Sequence, residues 1–179
     1  MTKTTFMSVR FCMSVLLCMA ALTAPAFAHP EHQAAAMPKD FDTLKGLVGT
    51  WEGKGKMHGD KEENITTTYE LTSGGTAIIE KLMPGTDHEM VTVYHKEGKS
   101  LAMTHYCAEG NQPHMVLKKA TPTSLSFAMT KPQGVTSMKE SHMHALTLSM
   151  PDANSLKEEW THLADGKSGV VAFNFKRKK

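Results

Sequence analysis

The chain has 179 residues, with 20 lysines and arginines against 18 aspartates and glutamates, for a formal charge of +2. Lys3 and Arg10 are the only charged residues before Ala28, so a chain cut there keeps 18 basic against 18 acidic residues and is formally neutral. That balance excludes a general cationic surface for nucleic acid or anionic lipid.

The leader has the anatomy of a secretory signal. Lys3 and Arg10 give a positive start, Phe11–Leu22 is a short apolar core, and Ala26-Phe27-Ala28 is a small-x-small cleavage pattern. The apolar run is too short for a permanent membrane span. Leu17 stands where a lipoprotein signal ending at Cys18 would carry a small residue. The expected organisation is a signal peptide over 1–28, a flexible segment over 29–39 and one domain over 40–179, periplasmic or secreted. Of 3 cysteines, Cys12 and Cys18 leave with the signal and Cys107 remains alone. The exported domain therefore has no internal disulfide and depends on a hydrophobic core, which a domain of roughly 150 residues can supply. With 14 methionines and 7% aromatic residues, that interior reads as deformable.

Phe41, Leu44, Leu47 and Val48 recur at helical spacing, predicting a short helix over Asp40–Leu47 with Asp40 as N-cap and Gly49 ending it. Thr50–Met57 is a glycine-rich first strand, in which glycines mark bends or close backbone approach. Asn64–Leu71 puts Ile65, Thr67, Tyr69 and Leu71 on one face. Its Asn64-Ile65-Thr66 sequon matters only in a eukaryotic secretory pathway. Thr76–Met83 follows a Ser73-Gly74-Gly75 turn. Further strands are predicted at His88–His95, Lys99–Cys107, His114–Lys119, Ser124–Thr130, Ser141–Met150, Leu156–Leu163 and Gly169–Arg177. Short turn-rich links leave no room for crossover helices, so the expected fold is all-β: an antiparallel up-and-down barrel of about ten strands. The basic cluster Lys176–Lys179 reads as a solvated tail.

Phe41–Gly55, with its short helix, Gly49-Thr50-Trp51 and the glycine-rich continuation to Gly55, resembles the start of a calycin-superfamily barrel. Lipocalins share the Gly-x-Trp element, and the glycine-rich strand is closer to the ten-stranded, nitrobindin-like branch. Thr104-His105-Tyr106-Cys107 and Gly110-Asn111-Gln112-Pro113 resemble exported bacterial members of uncharacterised function. The resemblance implies a ligand cavity, and it implies barrel closure by Arg177 packed on Trp51. Nitrobindin-like proteins bind haem through a late histidine. His162 is the possible counterpart, in surroundings that match poorly.

Met90–Met115 carries the densest chemistry. With Glu97-Gly98 as a two-residue turn, Thr92 faces Met103, Met90 faces His105 and His88 faces Cys107. Side-chain alternation then puts these six on one face, favoured as interior, with Tyr94 and Leu101 extending it. Three readings compete. His105 and Cys107 could form an activated thiol, but no orienting third group is identifiable. Cys, Met and His together could hold copper. The preferred reading is a pocket wall. The candidate ligand-binding residues are His88, Met90, Met103, His105, Tyr106, Cys107, Asn111 and Gln112, the last two doubling as an ordinary turn. His29 and His32 at a new N-terminus, and the His142–His144 pair beside Leu146, Leu148 and Met150, are weaker metal candidates. No metalloprotease, phosphate-loop or dinucleotide fingerprint occurs. The expectation is an exported barrel binding a small apolar or amphipathic molecule without cofactor. Metal (copper) or haem binding is the alternative and a Cys107/His105 thiol enzyme the third reading; oligomeric state is not legible.

Overall fold

The computed structural model describes Met1 and residues 36–57 and 61–179; the leader, its cleavage after Ala28, His29 and His32 lie outside the described residues. Alternating apolar and polar side chains build ten strands, each paired to its neighbour in sequence. They are β1 (Gly49–Gly55), β2 (Glu63–Thr72), β3 (Ala77–Leu82), β4 (Met90–Glu97) and β5 (Ser100–Tyr106). Then follow β6 (His114–Thr121), β7 (Ser124–Ala128), β8 (His142–Asp152), β9 (Ser155–Ala164) and β10 (Lys167–Arg177). Strand β10 returns to pair with β1, so the sheet closes as a ten-stranded antiparallel barrel, the architecture the strand spacing predicts.

One end is plugged. The helix α1 (Phe41–Lys45) drops Phe41 and Leu44 into the core, followed by Leu47. Trp51 packs beneath them and donates its Nε1–H to the Leu47 carbonyl at 2.8 Å. Trp51 and Arg177 are register partners across the β1–β10 seam, with the guanidinium 4.1 Å from the indole ring centre. Arg177 also donates to the carbonyls of Gly46 (2.6 Å), Val48 (2.8 Å) and Ala153 (3.0 Å), tying helix, first strand and last strand together. Asp40, expected to cap α1, makes no side-chain cap bond, because its backbone is already helical (φ −69°, ψ −12°) instead of extended. The basic cluster is not a free tail either. Lys176 and Arg177 belong to β10, and Lys178 pairs with Glu52 and with the Thr50 carbonyl.

The glycines of β1 permit the seam. A Cβ on Gly53 would lie 2.0 Å from the Asn174 carbonyl oxygen, and one on Gly55 would lie 2.1 Å from the Phe173 ring. Only hydrogen fits at either position, which is the close approach a glycine-rich strand announces.

The β4–β5 hairpin corrects the expected register. Gly98-Lys99 forms the turn and Glu97 pairs with Ser100, so Thr92 faces His105 and Tyr94 faces Met103. Gly98 has φ +60°, and a two-residue hairpin turn of the Gly-x kind needs its glycine first, not second. The slip is two residues, so alternation is preserved: Met90, Thr92, Tyr94, Leu101, Met103 and His105 are buried. His88 and Cys107 fall outside the paired strands. Strand β8 departs from simple alternation. The β8–β9 register shifts between Met143 and Ala145, and the extra residue breaks the alternation. Met143, not His142, joins the residues lining the interior cavity described below.

Candidate functional site

Inward-facing side chains of β2, β3, β4 and β9 meet in a polar layer inside the barrel. Glu80 and Glu158 are fully buried and close enough to hydrogen-bond each other. Tyr94 donates its hydroxyl to Glu80 at 2.6 Å, and Tyr69 donates to Glu158 at 2.7 Å. Thr67 donates to Glu80 at 3.4 Å, and the Trp160 indole N–H reaches Glu158 at 3.3 Å. Burial pushes both carboxyls up, and Glu158, which also feels the charge of Glu80, is pushed well above the ordinary range. Adjacent buried carboxyls cannot both ionise cheaply. Glu80 has the richer donor set, with Tyr94, Thr67, Thr92 and Glu158 all favouring its ionised form. Glu158 therefore holds the proton shared by the pair. Burial raises the phenols of Tyr69 and Tyr94 well above their ordinary value, so both remain donors.

This layer sets the tautomer of His105. Thr92 pairs across the sheet with Glu80 on one side and His105 on the other. Its hydroxyl lies 3.0 Å from His105 Nδ1 and also serves Glu80. A carboxylate only accepts, so Thr92 gives its one proton to Glu80 and accepts from Nδ1–H. The other nitrogen, Nε2, is left as a bare acceptor. It is buried and has no hydrogen-bond partner. His105 is 1% exposed, and burial lowers its pKa to about 4, so the ring is neutral at physiological pH. Its ring packs 4.4 Å from that of Trp160.

His105 borders a small cavity lined by Met57, Leu82, Met90, Met143, Trp160, Val171 and Phe173. Met57 follows β1, Leu82 ends β3, Met90 begins β4 and Met143 lies near the start of β8, so the cavity lies towards the end opposite α1. About 10 Å³ is open to the centre of a water-sized sphere, room for about one water molecule. Apart from His105 and the Trp160 indole, the lining is aliphatic, thioether or phenyl.

Of the eight residues singled out in the sequence, Met90 and His105 border this cavity, and Met103 is core packing opposite Tyr94. Tyr106 is 49% exposed, and His88 and Gln112 are exposed. Cys107 is half-buried in the β5–β6 link, where burial pushes its thiol up, so it stays protonated at neutral pH. Asn111 is a brace: its amide donates to Glu140 (3.1 Å) and to the Ser141 carbonyl (2.7 Å), clamping the β5–β6 link to the β7–β8 link. Glu80, Glu158, Tyr69 and Trp160 were not singled out. The signal was available, because Glu80 alternates with Ile78 and Leu82, and Glu158 with Leu156 and Trp160.

Other histidines are committed elsewhere. His162 Nε2 lies 2.9 Å from Ser141 Oγ and 2.8 Å from Glu109 Oε1. Serine and carboxylate share one ring nitrogen, so no nucleophile–base–acid relay forms. His162 is not among the cavity-lining residues, and a cavity with room for one water does not fit a haem macrocycle behind it. His142 Nε2 contacts His144 Nδ1 at 3.3 Å, and its Nδ1 meets the Glu140 carbonyl at 2.6 Å. Among the described residues, no group of three or more His, Cys, Asp or Glu is placed to hold a metal ion. No described helix is long and apolar enough to cross a membrane.

No protein-family model matches the chain, and no curated protein matches it. Among solved structures, the chain is similar to the crystal structure of Rv2717c from M. tuberculosis, at 15% identity and a TM-score of 0.56. The match covers 80% of this chain and 100% of that one. At that identity the likeness is one of fold: a closed, ten-stranded antiparallel barrel.

Proposed function

We propose that the chain is an exported, calycin-like barrel that takes a small apolar or amphipathic molecule at its methionine-lined end, with His105 as the orienting polar group. The observation that carries this reading is the His105 Nε2, a buried acceptor without a partner on a ring that borders an apolar cavity. A buried acceptor left unpaired costs about 1–3 kcal/mol, and a ligand hydroxyl or N–H would supply the missing bond. The cavity is smaller than an ordinary ligand site. The guest enters by displacing Met57, Met90 and Met143, whose unbranched thioether chains repack at low cost. The guest is then an alkyl or small aromatic body with one hydrogen-bond donor. Export rests on the leader, with its positive start, short apolar core and Ala26-Phe27-Ala28 pattern.

The test is titration with 1-octanol and with octane, followed by tryptophan emission, since Trp160 lines the cavity. The alcohol should give a saturable change and bind about tenfold more tightly than the alkane, the worth of roughly one hydrogen bond. No saturable change with either compound up to its solubility would sink the reading.

A further inference from the structure

The cavity wall has a second chemical character that its apolarity conceals. Three of its residues, Met57, Met90 and Met143, carry thioether sulfurs, and a fourth, His105, carries the imidazole nitrogen without a partner. They arrive from four separate places in the chain, the end of β1 and the beginnings or ends of β4, β5 and β8, and converge on a space with room for one small sphere. Thioethers are soft, uncharged ligands. With imidazole they select monovalent copper over zinc, magnesium or calcium, which want harder or charged donors. We propose that this cavity is a binding site for Cu(I), held by the His105 Nε2 and the thioethers of Met57, Met90 and Met143.

Three further features fit the ion. The buried side chains of the barrel include no lysine or arginine, while the Glu80–Glu158 pair leaves a negative charge one hydroxyl away through Thr92. A monovalent cation beside His105 balances it. Thr92 fixes the His105 ring from the other nitrogen, the support that metal-bound histidines ordinarily receive. Trp160 packs on the His105 ring and lines the same space, adding an aromatic group of the kind that attracts cations. Cys107, half-buried in the β5–β6 link, is not among the lining residues and is not part of the set. The site shares its cavity with the organic guest proposed above but does not require one.

The experiment is anaerobic titration of the mature protein against the coloured Cu(I)–bicinchoninate complex, with zinc(II) as the comparison. The protein should withdraw one equivalent of Cu(I), quench tryptophan emission and leave zinc alone. Met57→Leu with Met143→Leu conserves volume and the apolar surface while removing two sulfurs. It should weaken Cu(I) binding by at least about a hundredfold. Labelled methionine-methyl NMR of the unaltered protein provides a readout independent of folding of the variant: Cu(I) should move three methyl signals and spare the rest. Failure to withdraw Cu(I), binding that survives the leucine pair, binding abolished by Cys107→Ser, or methyl shifts elsewhere would each overturn the site. If copper fails while octanol still binds, the organic-guest reading stands alone. If octanol fails and copper binds, the reverse holds.

Discussion

Replacing Glu158 with glutamine should remove a specific pH dependence from the stability of the barrel. The folded state holds a proton on the Glu80–Glu158 pair that the unfolded chain releases just above the ordinary glutamate pKa of about 4.3. The folded-state value is raised, so this stabilisation is complete below about pH 4.3 and declines as pH rises towards the folded-state value. A one-proton difference corresponds to a slope of about 1.4 kcal/mol per pH unit. As pH rises above the ordinary glutamate range the unaltered protein should therefore lose stability relative to the glutamine variant. Glutamine keeps an acceptor for Tyr69 and offers an N–H to Glu80 without a titrating proton. Its main loss is the long 3.3 Å bond from Trp160, worth about 1 kcal/mol. The variant should thus be slightly less stable below about pH 4.3 and overtake the unaltered protein as pH rises. Urea unfolding at intervals of half a pH unit measures both slopes, and other titrating groups cancel in the difference. Parallel stability curves for the two proteins would refute the shared proton.

Three further outcomes follow from the geometry. Arg177→Ala removes the indole contact and three carbonyl bonds, a loss of about 2 kcal/mol. The melting temperature should fall by about 4–8 °C, and an unchanged midpoint would show that the plug does not depend on the arginine. Gly55→Ala drives a methyl into Phe173 across the seam. It should cost roughly 1–3 kcal/mol in urea unfolding, whereas alanine at Gly98 would act only through its φ of +60°. His105 contributes an acid limb of opposite sign to the carboxyl pair. Its folded-state pKa is lowered from 6.5 to about 4, so its stabilisation is complete above pH 6.5 and is lost as pH falls towards 4. That loss amounts to about 3 kcal/mol, and His105→Phe should remove it from the acid branch of a urea series.

The barrel was legible because its strands alternate and its links are short; every expected strand exists, shifted by a few residues at its ends. Closure was expected from the number and spacing of the strands, and the glycines of β1 announced the close approach that Gly53 and Gly55 make across the seam. What escaped was anything decided by a single inserted residue. The bulge at His144 turns Met143 to the cavity wall, and no periodicity announces a bulge. The turn at Gly98 shifted every cross-strand pair by two while leaving each face intact, so Met90, Thr92, Met103 and His105 are buried as expected, with other partners, while His88 and Cys107 fall outside the paired strands. The polar layer was missed for another reason. Its glutamates stand at apolar positions in β3 and β9, where cysteine and histidine nearby carry the louder chemical signal. A charged residue in phase with its buried neighbours signals an interior network, because burying it alone is prohibitive.

The pairing of β1 with β10 also has a kinetic consequence. The two strands that close the barrel are the first and last in the chain, so no earlier pairing can substitute for the seam. Until the 11 residues of Lys167–Arg177 have emerged, β1 and β9 present open edges, and the indole of Trp51 has no cation above it. Contacts of such long sequence separation form slowly and late. A chain emerging from the ribosome N-terminus first therefore stays unclosed until its final strand is out. The step that completes the barrel is also the step that ends its exposure to strand-to-strand aggregation.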